Sequence, residues 1–189
     1  MYEAINMNEF THKFIDLPNI EKIGEIVWRH IPPEEKNQIS YRSTSVELFS
    51  KCKPLVEAVE IIKPWSDVRE IGLVLVKPHS RLYIHTDLGE LTIKHKYALN
   101  FPIYNTEKVY TVFYKAKENV EGKITYQQHG DPFVYYDEEV VYEIDRMTLT
   151  KAAFVNTQIL HTVINSTDEP RAAITLRFNT PFDFTEIFK

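Results

Sequence analysis

After Pro64 the chain becomes a succession of short runs rich in Val, Ile, Tyr, Phe and Thr, and this succession restricts the fold more than any other feature. The runs are "EIGLVLV", "RLYIH", "KYALNFPIY", "VYTVFYKA", "KITYQ", "EVVYEI", "AAFVN", "QILHTVIN" and "RAAITLRFN". Branched and aromatic side chains suit a pleated, half-buried surface, so each run reads as a strand. Turn-like "TDLGE", "NTE" and "NSTDEP" separate them at short intervals. That spacing predicts an antiparallel sandwich or barrel.

Upstream the period changes. "NIEKIGEIVWRHI" sets Ile20, Ile23, Ile26, Val27 and His30 at three- and four-residue steps, with Asn19 as N-cap and Pro32-Pro33 as the stop. "SVELFSKCKPLVEAVEIIK" repeats Leu48, Leu55, Val59 and Ile62 on one face, and Pro54 must break or start it. The expectation is a mainly β core over about 70–180, with N-terminal packing helices over about 1–65. At 189 residues this makes a single domain, because two comfortable cores would need a longer chain.

Bulk properties exclude several function classes. A formal charge of -5 argues against a protein held to nucleic acid by a basic surface. Five glycines in the whole chain leave little material for a glycine-rich phosphate cradle. The single cysteine, Cys52, excludes an internal disulfide and a cysteine-based zinc cluster, and suits a reducing compartment. No apolar run approaches the roughly 20 residues that span a bilayer, and "MYEAINMNEFTHKF" has charged and polar residues throughout, unlike a signal peptide. A soluble cytoplasmic protein is expected.

Within "RLYIHTDLGEL", His85 and Asp87 stand two residues apart and project to the same face of a strand. An imidazole and a carboxylate make a half-site for a divalent first-row metal, and a second histidine would complete a facial triad suited to Fe(II). His161, inside the apolar run "NTQILHTVIN", is the natural third donor. On "RAAITLRFN" alternation places Arg171, Ala173, Thr175 and Arg177 on one face, where two arginines require an anion. A guanidinium fork grips carboxylate with two bonds, so a buried one of these facing the metal would fix a dicarboxylate such as 2-oxoglutarate by its distal end.

His85-x-Asp87, a distal His161 seventy-six residues on and Arg171 ten residues later resemble the signature of Fe(II)/2-oxoglutarate-dependent dioxygenases. The similarity is to the aspartyl/asparaginyl β-hydroxylase-like and prolyl-hydroxylase-like branches, and covers roughly Ile71 to Asn179. It implies a double-stranded β-helix core, a cupin-like jelly roll. It also implies iron on His85, Asp87 and His161, 2-oxoglutarate on Arg171, and O2 as co-reactant. The reaction implied is hydroxylation of an unactivated C–H bond as 2-oxoglutarate is decarboxylated to succinate. Arg177 resembles the second arginine of DNA-alkylation-repair dioxygenases, which helps with the cosubstrate. Six residues of strand span roughly 20 Å, however, so Arg177 can equally serve substrate or an internal carboxylate. Tyr83 and Asn100 are candidate hydrogen-bond donors to cosubstrate or substrate. The substrate class left open is a small molecule or a protein side chain.

Each residue taken singly has a plainer alternative. Asp87 could cap a "DLGE" turn, His161 could be a satisfied core histidine, and Arg171 could pair with Asp168 or Glu169 at the surface. The ordered set favours the metal site. Two whole-protein rivals are a jelly-roll binding or assembly module and a cupin-like metalloenzyme that does not use 2-oxoglutarate. For His12, His30, His79, His95 and His129 the ordinary packing role is expected, with His95 in "KHKY" near a cavity mouth. "YYDEEVVYEIDR" reads as a strand with a solvated acidic face, and Asn156 to Gln158 as a turn.

Overall fold

The computed structural model describes residues 10–43, 51–64, 67–87, 96–126 and 132–179. The chain is mainly β and forms a cupin-like jelly roll of two antiparallel sheets, with helices on the outer face of one of them. In chain order the elements begin with β1 (His12–Ile15), α1 (Ile20–His30), β2 (Ser40–Ser43) and α2 (Lys53–Ile62). There follow β3 (Val68–Val76), β4 (Ser80–Arg81), β5 (Ile84–Asp87), β6 (Tyr97–Tyr104), β7 (Tyr110–Ala116), β8 (Lys123–Tyr126) and β9 (Pro132–Tyr136). A short 3-10 turn (Glu138–Val140) leads into β10 (Val141–Thr148), β11 (Ala152–Asn156), β12 (Leu160–Asn165) and β13 (Arg171–Phe178).

The first sheet runs β1-β11-β6-β13-β3-β2, and the second runs β10-β7-β12-β5-β9-β8 with β4 beside β12. β13 is central in the first and apolar on one side only. Ala172, Ile174, Leu176 and Phe178 join Leu73, Leu75, Leu99, Phe101 and Phe154 in a core closed by Ile23 and Val27 of α1 and Leu55, Val59 and Ile62 of α2. Each large side chain buried this way contributes on the order of 1.5–3 kcal/mol. The opposite face of β13, with Arg171, Ala173, Thr175 and Arg177, looks toward the second sheet. A layered helix–sheet–sheet arrangement therefore keeps water off one side of β13 and leaves a cavity on the other.

The helices follow their sequence signals with two adjustments. Pro54 starts α2 rather than breaking it, since its missing N–H falls where the first turn has no acceptor. Asn19 stands at the N-cap of α1, yet its backbone is left-handed at φ 62 and its side chain makes no capping bond. α1 lies close on β6 at Gly24, where a Cβ would come within 2.9 Å of the Ile103 carbonyl oxygen. Alanine there would push the helix off the sheet.

The region read as helical also contains strands. β1 pairs with β11 and β2 pairs with β3, each on an outer edge of the first sheet. "HKFI" and "SYRS" are too short to announce a strand by periodicity, and each is held by a neighbour distant in sequence. Leu48, the Leu88–Glu90 part of the expected turn, His95 and His129 lie outside the described residues. Among the described residues no helix is long and apolar enough to cross a membrane.

Candidate metal and anion site

The two sheets enclose a cavity of about 1000 Å³. It falls at the upper end of ordinary ligand pockets. β5 and β12 run side by side in the second sheet with His85 directly opposite His161, and alternation sends Asp87 to the same side as His85. The two imidazole rings lie 4.6 Å apart, and His85 Nε2 is 3.8 Å from Asp87 Oδ1. His85, Asp87 and His161 thus share one corner of the cavity. Asp87 points inward, only 7% exposed, rather than into a turn.

Their proton positions follow from their partners. His85 Nδ1 is 2.8 Å from the Tyr83 carbonyl, and His161 Nδ1 is 2.8 Å from the Ile159 carbonyl. A carbonyl only accepts, so in the neutral rings each Nδ1 carries the proton and each Nε2 keeps its lone pair. Burial, reinforced by His85, lowers His161 to about 4. Burial alone would raise Asp87, but Arg177, His85 and His161 outweigh it and hold the carboxyl at about 2. Two imidazole lone pairs and a carboxylate with no proton of their own to share form an electron-rich corner that suits a divalent cation.

The donors need to close slightly to hold one. Among the described residues no three His, Cys, Asp or Glu side chains are drawn together tightly enough to grip an ion as they stand. Ligands about 2.1 Å from a common metal and at right angles would be about 3 Å apart, so the 3.8 Å gap must shrink by under about 1 Å. The chemistry and protonation of the donor set fit a metal.

The arginines divide. Arg177 Nη2 donates to Asp87 Oδ2 at 2.8 Å, so its partner in the protein is an internal carboxylate. Arg171 is 3% exposed, and no carboxylate of the described residues pairs with it. Burial alone lowers it to about 10, which leaves it charged at neutral pH. Its alternative surface role is absent, because Asp168 bonds His79 and Glu169 accepts from Tyr104. Asn100 faces the same cavity, and its buried Oδ1 has no hydrogen-bond partner among the described residues. Tyr83 also lines it but is 69% exposed, its ring beside Phe133 and Tyr135 at the rim.

Three participants carried no strong sequence signal. Phe133 sets its ring edge-on to His85 with centroids 5.4 Å apart, and Tyr135 is the cross-strand partner of His85. The alternating aromatics of "PFVYY" could have marked this strand. Gln158 donates from Nε2 to the Asp87 carbonyl at 2.7 Å and pins its backbone. Nothing in "NTQ" beyond a turn signal indicates that role. Of the other histidines, His12, His30 and His79 lie outside this site, each with a partner of its own.

No family model and no curated protein matches the chain. Among solved structures it is similar to a prolyl-4-hydroxylase from Pseudomonas putida, at 10% identity and TM-score 0.46 over 89% of this chain and 86% of that one. The 2-oxoglutarate complex of a viral collagen prolyl hydroxylase from Paramecium bursaria Chlorella virus-1 matches at 12% identity and TM-score 0.37, covering 89% and 96%. Oxalate decarboxylase matches at 12% identity and TM-score 0.35 over 82% of this chain, which spans only 29% of that enzyme's length. At such identities and scores no function transfers from these proteins to this chain.

Proposed function

We propose that the protein is a cytoplasmic Fe(II)- and 2-oxoglutarate-dependent oxygenase that hydroxylates an unactivated C–H bond of a small molecule or protein side chain. One observation carries the reading. His85, Asp87 and His161 gather their lone pairs in one corner of a cavity whose wall also holds Arg171, a buried guanidinium without a carboxylate among the described residues. A buried unpaired cation is costly to keep, and a dicarboxylate ligand removes that cost. Bound there, Fe(II) and 2-oxoglutarate would supply the O2 activation that inserts a hydroxyl group while succinate and CO2 leave.

The protein's own contribution is to hold and exclude. The Tyr83 and Ile159 carbonyls fix the tautomers that turn Nε2 of His85 and His161 inward. Arg171 would take the distal carboxylate with a two-bond fork, and Asn100 offers a nearby polar group. Val74, Ala98, Val155, Val163 and Ala173 keep the intervening wall apolar, which strengthens both charge contacts. The cavity is much larger than a small dicarboxylate, so space remains for a second molecule beside Tyr83 and Tyr135.

Anaerobic addition of Fe(II) and then 2-oxoglutarate should produce a weak visible charge-transfer band, and aerobic incubation should form succinate. Well-folded protein that does neither sinks the proposal. A second reading, an anion-binding module that uses Arg171 without a metal, draws support from the 3.8 Å gap and from Arg177 already engaging Asp87. Stabilisation by 2-oxoglutarate that is unaltered by Fe(II), Mn(II) or Co(II) would favour it.

A further inference from the structure

Resting on the metal-centre reading, we propose that Arg177 is a positioning residue that makes Asp87 a one-oxygen ligand by occupying Oδ2 and leaving Oδ1 alone to face the histidines. The geometry is asymmetric at the carboxylate. Oδ2 accepts from Arg177 Nη2 at 2.8 Å, whereas Oδ1 is the oxygen 3.8 Å from His85 Nε2. The backbone of Asp87 is fixed on both sides of the side chain. Its N–H donates to the Thr157 carbonyl at 3.1 Å, and its own carbonyl accepts from Gln158 at 2.7 Å. With the main chain pinned and Oδ2 engaged, Oδ1 is the oxygen left to turn toward the histidines.

Two consequences follow. A metal held there by two imidazoles and one carboxylate oxygen would keep more positions open to exogenous ligands than one chelated by Asp87. The Arg177 charge also offsets that of Asp87 before any metal arrives, so the donor is ionised and oriented in the metal-free protein. This role separates Arg177 from cosubstrate binding. Arg171, six residues away on the same strand, meets no carboxylate of the described residues and is the guanidinium left to bind an anion, whereas that of Arg177 is engaged by Asp87.

The test is Co(II) titration of the full chain, followed by visible absorption, for wild type, Arg177→Met, Arg177→Lys and Arg171→Met. Arg177→Met should weaken Co(II) about 10- to 100-fold, the usual penalty for losing a group that orients a ligand, and should change the Co(II) spectrum as Asp87 is released. Arg177→Lys keeps the charge and should restore part of both. Arg171→Met should retain the wild-type Co(II) spectrum while losing 2-oxoglutarate binding at saturating Co(II). Wild-type Co(II) affinity and spectrum in Arg177→Met, with the loss confined to 2-oxoglutarate, would overturn the assignment and make Arg177 a cosubstrate contact. Should Arg177→Met fail to fold, Arg177→Lys decides alone: an unchanged spectrum and affinity overturns the proposal. A wild-type protein that binds no Co(II) removes the metal-centre reading itself, before any variant is compared.

Discussion

Arg171 and Arg177 stand on one face of one strand, and they differ in whether a carboxylate meets them. Both are largely removed from water, but Arg177 meets Asp87 across the gap between the sheets, while Arg171 meets no carboxylate of the described residues. A folded chain gains nothing from keeping an uncompensated guanidinium in a low-dielectric wall. Arg177 is therefore part of what holds the sheets together, and Arg171 is a charge kept at the expense of stability. The contrast separates groups that assemble a site from groups that await a ligand.

Opposite signs of stability change would sharpen that contrast most. Arg177→Met strands the Asp87 carboxylate in a buried corner, and breaking a buried pair from one side costs roughly 3–5 kcal/mol. Urea unfolding of the metal-free variant should show a loss of that size. Arg171→Met removes a buried charge that no carboxylate of the described residues pairs and substitutes an apolar side chain of similar reach, so it should stabilise the metal-free protein by roughly 1–3 kcal/mol. A loss of stability in Arg171→Met would show that this cation already has a partner in the folded chain and would undo the comparison.

Acid should act on the same corner. His161 is held at about 4, below its ordinary 6.5, so between those values the unfolded chain takes a proton that the folded chain refuses. Stability of chelator-treated protein is thus full above pH 6.5 and falls as the pH drops toward 4, by about 1.4 kcal/mol per pH unit. Asp87, held at about 2 against an ordinary 3.8, extends the decline from 3.8 toward 2. His161→Gln should flatten the upper part of the curve and, because His161 also helps to hold Asp87 down, shrink the lower part without removing it. A curve already flat from pH 6.5 to 4 in the wild type would mean that His161 is not buried as a neutral ring.

How much of this could be read from residues alone depends on whether the deciding partner is local. The two faces of β13 were legible, because period-2 alternation puts Arg171, Ala173, Thr175 and Arg177 together whatever surrounds them. So was the shared face of His85 and Asp87. The direction of Asp87 was not: "DLGE" reads as a turn locally, and the residue that draws the carboxylate inward is 90 positions away. β1 and β2 were hidden for a similar reason, being edge strands with little signal of their own and long-range partners. Phe133 and Tyr135 belong beside His85 only because β9 pairs with β5. Asn19 signalled a cap by residue type, but its left-handed backbone turned the side chain away from that use.

The smallest effect is expected where a second aspartate bridges the sheets in the open. Thr11, next to β1 at the edge of the first sheet, donates its hydroxyl to Asp145 Oδ2 on β10, the edge of the second. His12 Nδ1 is 3.3 Å from the same oxygen, and its ring stacks on buried Phe113 with centroids 5.8 Å apart. The chemistry resembles the Arg177–Asp87 contact, a carboxylate held across the sandwich, but the Asp145 side chain is 37% exposed against 9% for Asp87. Water and salt screen the outer contact, so Asp145→Asn should lower stability by only about 0.5–1 kcal/mol, and by less in molar salt. Asparagine keeps an oxygen that Thr11 can reach, which limits the loss further. Thermal unfolding at low and high salt measures both effects. A salt-independent loss as large as that of Arg177→Met would mean that this edge is as dry as the cavity, and that exposure does not explain why only one of the two carboxylates matters to the fold.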